Sequence, residues 1–399
     1  MTEQQLEIDL WAETQKKLDY LVSTREHLHQ HPELSGQELQ TAKLVLSELE
    51  KFGAEDVRMI AETGVTGLIK GALPGPVVLL RADMDALSID ECADVPYKSQ
   101  NQGVMHACGH DGHTATLLGV AKILMENRHL LKGSVRLAFQ PAEEGEGGAL
   151  RMIEEGILEN PKVDYAFAFH VWGAIDEGKI GIRSGGLWAS CDDIIIKLTG
   201  KGGHGSQPYK CVNPILMGTD VIGRLNTFLA QSCKGDKGAV LSFGQFVSGS
   251  ACNTIPETAE LKGSLRTYDN ESREILLNKL DLSLKQSAEF HGGSYNLNAY
   301  LFAPSCQNDP KLTEEVTALL QKHCGPDYIE LMKEPASGSE DFAFFSQRVP
   351  SLYFMLGIRR DKKDIALHSP DFQWDSRLLR YSCWAMLNIV FHLTEFTKN

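Results

Sequence analysis

Several features that would assign this chain of 399 residues to other classes of protein are missing. No apolar run approaches the roughly 18 residues that a membrane-spanning helix needs. The first residues, MTEQQLEIDLWAETQKKL, have neither the basic nor the apolar segment of a secretory leader. An excess of basic charge is missing, since the formal net charge is −14. We therefore expect a cytoplasmic protein that binds neither nucleic acid nor anionic membranes.

Paired cysteine spacing is missing as well. The nine cysteines are odd in number and are scattered from Cys92 to Cys383, which is typical of reduced thiols rather than of a disulfide framework. The length exceeds what one hydrophobic core usually supports, and 42% hydrophobic residues suffice to fill more than one. The composition therefore predicts a globular protein of two domains that acts on a small molecule or a peptide.

A dinucleotide-binding loop is not expected either. Gly200, Gly202 and Gly205 fit the spacing G-x-G-x-x-G, but the dipeptide Gln-Pro intervenes before the next predicted helix. No helix N-terminus therefore opens at this loop to hold a pyrophosphate. The residue of functional interest in the loop is His204.

The densest group of potential metal ligands is MHACGHDGHT, residues 105–114. Cys108 and His110 lie two residues apart, so a turning backbone can aim both at one point. A thiolate and a neutral imidazole suit a borderline-soft divalent ion such as Zn²⁺, Mn²⁺ or Co²⁺. A lone cysteine or histidine would more often be a packing group, but the density of ligand types here favours half of a metal site. His368, in ALHSPDF, is a further candidate ligand.

Other candidates lie where predicted strands end. The apolar run VVLLRADMDALSI carries Asp83 and Asp85, the strand SVRLAFQ leads into Glu143 and Glu144, and VDYAFAFHVW carries His170 near its end. Open α/β sheets place ligands at the carboxyl ends of their strands. Asp85 is a candidate for orienting a metal-bound histidine from behind, although a solvated turn is the alternative for both aspartates.

The N-terminal segment is predicted to be helical over residues 7–30, and the proline that follows should end this helix. Ser35 and Glu38 have the spacing of a capping box that opens a second helix through residue 50. The three histidines of HLHQH do not share one helical face, so packing or capping is favoured over metal binding.

Strands and helices alternate with short connections, which predicts an α/β fold whose catalytic domain contains a mostly parallel mixed sheet. Residues 188–302 have the order βαββαβ of a ferredoxin-like unit. We therefore expect a catalytic domain formed by residues 1–187 and 303–399, and an inserted lid or dimerisation domain formed by residues 188–302.

Taken together, the motifs resemble those of the M20 metallopeptidase superfamily, specifically its aminoacylase-like amidohydrolases. The resemblance covers nearly the whole chain and rests on motifs in the same order: RADMDAL, MHACGHDGHTA, FQPAEEG, AFHVW, GKGGHGSQP, NTIPETAELKGSLR, SGSEDFA and LHSPDF. The wider superfamily has His-x-Asp at the position of Asp-Met-Asp in this chain. The aminoacylase-like branch departs from the wider superfamily in the same way as this chain.

This resemblance implies a site for two divalent ions, Zn²⁺, Mn²⁺, Co²⁺ or Ni²⁺, whose ligands are Cys108, His110, Glu144, His170 and His368. Glu143 would be the general base, which agrees with the ability of adjacent glutamates to point in different directions. The resemblance also implies that His204 reaches over from the partner subunit of a homodimer or homotetramer to stabilise an oxyanion. Asn253 and Arg266 are candidates for binding a substrate carboxylate.

The expected activity is metal-dependent hydrolysis of the amide bond of small-molecule N-acyl amino acids. A metallo-carboxypeptidase or dipeptidase of the same superfamily is an alternative, and so is a deacetylase of N-acetyl-diaminopimelate. A different class is a metal-independent amidase with Cys108 as the nucleophile, whose activity a chelator would leave intact. A non-catalytic metal-binding protein would instead close every coordination position with side chains.

Overall fold

The structure is a computed structural model that describes residues 8–145, 147–232 and 238–393. It divides into two compact units. The larger comprises the described residues up to Gly185, Asn308–Lys333 and those from Phe344 onward, and the smaller comprises Gly186–Gln307 and Glu334–Ala343. The sequence did not predict that the last of these segments belongs with the smaller unit.

Strands and helices alternate along most of the chain. The strands are β1 (Glu55–Ile60), β2 (Gly64–Lys70), β3 (Leu73–Asp83), β4 (Lys132–Gln140), β5 (Tyr165–Asp176), β6 (Ile180–Ile182), β7 (Gly185–Trp188), β8 (Cys191–Thr199), β9 (Gly203–His204), β10 (Val240–Ser248), β11 (Thr254–Ile255), β12 (Thr258–Arg266), β13 (Ser294–Ala303), β14 (Cys306–Asn308), β15 (Ile329–Leu331) and β16 (Ser351–Arg359). The helices are α1 (Leu10–Lys16), α2 (Leu18–Gln30), α3 (Leu39–Phe52), α4 (His110–Glu126), α5 (Gly148–Glu154), α6 (Pro214–Ser232), α7 (Asn270–His291), α8 (Pro310–His323), α9 (Ala343–Ser346) and α10 (Leu379–His392).

The larger unit is built on a sheet of eight strands in the order β1-β2-β4-β3-β5-β16-β6-β15. Four of its seven strand pairings are parallel, including the central β4-β3-β5-β16 block. The central strands are nearly continuous apolar runs, as expected for strands covered on both faces. The predicted mostly parallel mixed sheet is confirmed.

The smaller unit contains a four-stranded antiparallel sheet in the order β10-β12-β8-β13. With α6 and α7 its chain order is βαββαβ, so the predicted ferredoxin-like unit is confirmed. An apolar core that includes Ile194, Ile196, Leu261 and Leu280 lies within this unit. Within the described residues of both units, every helix is too short or too polar to span a bilayer.

Two predictions about the N-terminal region are wrong. The helix expected over residues 7–30 is two helices, because the chain breaks at Lys17, between α1 and α2. The expected capping box does not form, since α3 begins at Leu39 with no side-chain cap. Ser35 instead donates its hydroxyl proton to Asp85 Oδ2 at 2.6 Å, so a contact distant in sequence replaces the local one.

Candidate metal centre

Three neighbouring strands deliver acidic and imidazole groups to one level of the large sheet. Asp83, the last residue of β3, pairs with Gln140, the last residue of β4, and Glu143 and Glu144 follow in the loop after β4. The pairing of β3 with β5 ends at Leu80 and Phe167, and three residues further along each strand come Asp83 and His170. The prediction that His170 lies near the end of its strand is wrong, because β5 continues to Asp176 beside β16.

The Cys108–His110 segment turns sharply into α4. Gly109 between them has φ +90°, which favours glycine, and a Cβ there would lie 2.5 Å from Cγ2 of Val171. Cys108 therefore ends the incoming loop, while His110 is the first residue of the helix. The backbone turn allows both side chains to face the same point.

The side chains predicted as ligands come together in the larger unit. Cys108 Sγ lies 3.3 Å from Nε2 of His170 and 3.2 Å from Nε2 of His368. Glu144 Oε1 lies 3.2 Å from His368 Nε2 and 3.8 Å from His110 Nε2. The atoms that could bind a metal ion fall into overlapping donor groups, and the ligand atoms of each group lie within 4.8 Å of one another. Glu143 belongs to one of these groups with His110 and Glu144.

His110 is oriented from behind by Asp85. Its Nδ1 lies 2.9 Å from the backbone oxygen and 3.2 Å from Oδ1 of Asp85, so this nitrogen carries the donated proton. Nε2 is buried and has no hydrogen-bond partner among the residues that the structure describes. Burial opposes the charged imidazolium, but Asp83, Asp85 and Glu144 outweigh it and raise the pKa of His110 to about 10.

The centre concentrates negative charge in a buried place. Burial raises the pKa of the Cys108 thiol well above its ordinary value, and the carboxylates of Glu144, Glu143 and Asp83 raise it further. The donor set of thiol, imidazoles and carboxylate is one that borderline-soft divalent ions prefer. The charge of a cation would relieve the repulsion among these groups.

The loop that carries the paired glutamates is fixed by two buried carboxylates. Ala142, with φ +53°, donates its backbone N–H to Glu38 Oε1 at 2.8 Å. Glu144 donates its backbone N–H to Asp85 Oδ2 at 3.0 Å. Asp85 thus contacts both a candidate ligand and the loop that carries Glu143 and Glu144, so the aspartate is buried among these groups and does not lie in a solvated turn.

A buried ion-pair network lies at the start of α4. Asp111, next to His110, accepts hydrogen bonds from Arg25 Nε at 3.1 Å and from His29 Nδ1 at 2.7 Å. Arg25 also lies over the ring of Trp374, 4.3 Å from its centroid. These groups anchor the start of α4 by charge and packing. The sequence predicted packing or capping for the histidines of HLHQH, whereas His29 forms a buried ion pair with Asp111.

The remaining candidates lie in the smaller unit. His204 is exposed, and Ser206 donates to its Nδ1 from the hydroxyl at 2.9 Å and from the backbone at 3.2 Å. Asn253 lies next to the His204 loop, because its backbone carbonyl accepts the N–H of Gly205 at 2.8 Å. Arg266 ends β12, and its Nη1 donates to the Ser337 carbonyl at 3.4 Å. Their roles stay predictions.

Sequence reasoning did not predict the supporting contacts that three further residues make near the centre. Ser35 and Glu38 hold Asp85 and the Ala142 backbone, and His113 contacts Asp83. Ser35 and Asp85 are 50 positions apart, so no local spacing reveals the pair. His113 was visible within the MHACGHDGHT motif, where its helical position placed it one turn beyond His110.

The model of peptidase family M20/M25/M40 matches residues 79–387, which include the donor residues described above. This chain belongs to that family. The match confirms the predicted family resemblance and the prediction that the chain is an amidohydrolase enzyme.

Relatives of this M20 protein include a hippurate hydrolase from Campylobacter jejuni, 38% identical over 89% of this chain and 91% of the relative. A thermostable carboxypeptidase from Saccharolobus solfataricus is 37% identical over 92% of this chain and 93% of the relative. Among solved structures, a dinuclear metal-binding peptidase of the M20 family from Bacillus subtilis superposes with a TM-score of 0.83. That structure is 31% identical and covers 96% of this chain and 99% of its own.

Proposed function

We propose that this protein hydrolyses the amide bond of N-acyl amino acids and releases a carboxylic acid and a free amino acid. The observation that carries the proposal is the convergence of thiol, imidazole and carboxylate donors beside a second glutamate, Glu143. The relative named a hippurate hydrolase supports the substrate class.

We propose that two divalent ions occupy this centre, held by Cys108, His110, Glu144, His170 and His368. The fit is supported by the buried Nε2 of His110, which has no hydrogen-bond partner in the described chain, and by the negative charge around Cys108. Bound ions would supply positive charge that polarises the scissile carbonyl and makes an attacking water more acidic. The solved relative described as dinuclear supports the number of ions, whereas Zn²⁺, Mn²⁺, Co²⁺ and Ni²⁺ all suit these donors.

Glu143 is assigned the proton transfer. It is 7% exposed and lies in one donor group with His110 and Glu144. Its carboxylate accepts a proton as water attacks the carbonyl carbon, and it delivers this proton to the leaving nitrogen as the C–N bond breaks. Asp85 keeps the donated proton of His110 on Nδ1, so that Nε2 faces the centre.

His204 is assigned to the oxyanion of the tetrahedral intermediate, acting from the second subunit of a dimer. Backbone donation from Ser206 to Nδ1 places the ring proton of a neutral His204 on Nε2, where it can be donated outward. Asn253, whose carbonyl binds Gly205 beside it, and Arg266 are assigned to the substrate carboxylate.

We propose that two copies form a homodimer by pairing the edge strand β10 of their smaller units. The smaller unit would then be the lid and dimerisation domain that the sequence predicts. In the part of the chain that the structure describes, β10 pairs with β12 on one side only. Val240 and Val247 on this strand are 57% and 55% exposed. An exposed apolar edge is a template for pairing with the same strand of a second copy. A homotetramer built from such dimers is the alternative.

A metal-independent cysteine amidase is disfavoured by the chemistry of Cys108. Burial and neighbouring carboxylates raise the pKa of its thiol, whereas a cysteine nucleophile needs a lowered one. A carboxypeptidase or dipeptidase would use the same centre on a substrate with a different acyl side. The relative named a carboxypeptidase supports this activity as a second candidate.

The discriminating experiment compares matched amides on the enzyme stripped of metal and reloaded with each ion in turn. N-acetyl and N-benzoyl amino acids, N-acetyl-diaminopimelate and free dipeptides with the same C-terminal residue form the panel. We expect the N-acyl amino acids to be cleaved fastest. Faster cleavage of the dipeptides would replace this proposal by the dipeptidase alternative, and preferred cleavage of N-acetyl-diaminopimelate would restrict it to that substrate.

The dimer and the role of His204 are tested by mixing two inactive variants, His204→Ala and Glu143→Gln, under conditions where subunits exchange. If His204 acts across the dimer, mixed dimers contain one intact composite site and activity returns. Absence of recovery, with exchange demonstrated separately, would overturn the assignment in trans and leave the chemistry of the larger unit unchanged.

A further inference from the structure

His113 is a completely buried histidine on the first turn of α4 that the proposed ligand set does not use. Its Nδ1 lies 2.6 Å from Asp83 Oδ1, and its Nε2 accepts the backbone N–H of Val171 at 3.0 Å. The ring also packs edge-on against Phe169, with the centroids 4.9 Å apart. His113 therefore connects the end of β3 with β5.

The two hydrogen bonds fix the tautomer of this ring. A backbone N–H can only donate, so Nε2 of His113 must be the acceptor and the ring proton must lie on Nδ1, where it is donated to Asp83. Both nitrogens are thereby engaged with protein groups. Although Asp83, His110 and His113 lie close enough to form a donor group, His113 has no lone pair left for an ion.

The bond to Val171 bears directly on a proposed ligand, because Val171 follows His170. His170 Nδ1 donates to the Val171 carbonyl at 2.6 Å, which leaves its Nε2 directed at Cys108 Sγ. At this level β5 no longer pairs with β3, since their last paired residues are Leu80 and Phe167. The imidazole of His113 replaces the missing ladder contact between the two strands.

Asp83, the other partner of His113, is also held in place. Asp83 Oδ2 accepts from Arg81 Nη1 at 2.6 Å, and both side chains are fully buried. The Asp83 backbone oxygen accepts from the Thr114 hydroxyl at 2.7 Å. Movement of the Val171 backbone is therefore resisted through His113 by a carboxylate that is itself held at several points.

We infer that His113 is a positioning residue for the metal centre: by holding the Val171 N–H it sets the direction of His170, and it thereby raises the affinity for the ion that His170 binds. The inference rests on the proposed two-metal centre. Its distinctive consequence is that the bond to Val171 matters more for metal affinity than the bond to Asp83.

Two variants separate these bonds. In His113→Gln the side-chain oxygen can reach the position of Nε2 and accept from Val171, whereas in His113→Asn the amide nitrogen replaces Nδ1 and donates only to Asp83. His113→Ala removes both bonds. Thr116→Val is the matched control, because it removes a buried hydrogen bond to Ser382 from the same helix away from the centre.

The readout is titration of each full-length apo-protein with Co²⁺, followed by the thiolate-to-cobalt absorption and by the number of ions bound, with thermal unfolding measured in parallel. We expect His113→Ala and His113→Asn to lose about 10- to 100-fold in affinity for one of two ions. His113→Gln should recover most of this loss, and Thr116→Val should bind like the wild type even where its unfolding temperature falls.

Wild-type affinity in all three His113 variants, or equal losses in the Gln and Asn variants, would overturn the inference. A wild-type protein that binds two Co²⁺ ions without cleaving any N-acyl amino acid would remove the proposed substrate and leave the positioning role of His113 standing. A wild-type protein that binds no Co²⁺ would overturn both.

Discussion

The metal centre of the larger unit and the His204 loop of the smaller unit carry polar groups in opposite ways. In the centre, His110 and His170 are buried, and each has its Nδ1 held by a group behind it. His204 is exposed, and its bonds to Ser206 are local, two residues along the chain. One region is fixed by contacts between distant segments, and the other by a short turn.

This difference matches the roles proposed for the two regions. Donors that share an ion must be held in one geometry before the ion arrives, and supporting contacts that are buried do this with little reorganisation. A side chain that acts from a second subunit must instead stay accessible to it. Substitutions should therefore have large effects in the centre and small effects in the supports of the loop.

The largest effect is expected for Glu143→Gln. The amide keeps the shape of the side chain but cannot take up the proton, so the rate should fall by about 10² to 10⁴. Metal content, measured on the same preparation, should stay at the wild-type level. Loss of metal together with activity would make Glu143 a ligand and would exchange its role with that of Glu144.

Cys108→Ser should weaken metal binding and activity together, because a hydroxyl is a far poorer ligand than a thiolate at neutral pH. We expect a loss of at least about 100-fold in affinity, since replacement of partners outside the ligand shell already costs 10- to 100-fold. Titration of the apo-protein measures it. Full activity of the serine variant after addition of metal would remove Cys108 from the ligand set.

Asp85→Asn tests the support behind the ligands. The amide can no longer accept equally from His110, Ser35 and the Glu144 backbone, so metal affinity should fall by about 10- to 100-fold. Asp176→Asn, at a carboxylate that pairs with Arg359 on the surface, is the control and should bind metal like the wild type. Equal affinity in both variants would show that Asp85 orients nothing.

The buried network beside the centre predicts a pH dependence of stability. Burial opposes the charge of His29, but hydrogen bonds to Asp111 and Glu91 outweigh it and raise its pKa to about 9. Charged His29 therefore contributes fully below the unfolded pKa of about 6.5, and the contribution is lost as the pH rises through about 9. The free energy of unfolding, measured with urea at pH 6 and pH 9.5, should fall more between these pH values for the wild type than for His29→Gln. Equal falls in the two proteins would contradict this.

The smallest effect is expected for Ser206→Ala. The hydroxyl bond to His204 is exposed, and the Ser206 backbone still donates to the same nitrogen. A net contribution of about 0.5 to 1.5 kcal/mol for a hydrogen bond corresponds to roughly a two- to tenfold fall in rate, and the remaining bond favours the lower end. A loss as large as that of Asp85→Asn would remove the contrast between the two regions.

The sequence was sufficient to predict those features that depend on residues close together in the chain. The MHACGHDGHT and PAEEG motifs predicted metal ligands that the structure brings together, and the order of strands and helices along the chain predicted both sheets. It failed where local and distant partners compete. Ser35 had the spacing of a helix cap but bonds to Asp85, and His170 lies six residues before the end of a strand that β16 extends.

The most direct test of the central claim is activity toward an N-acyl amino acid as a function of metal content. A chelator should abolish hydrolysis, and activity should return as the second equivalent of a divalent ion is bound, with no recovery in Glu143→Gln. Hydrolysis that survives complete removal of metal would contradict the account and point to Cys108 as a nucleophile.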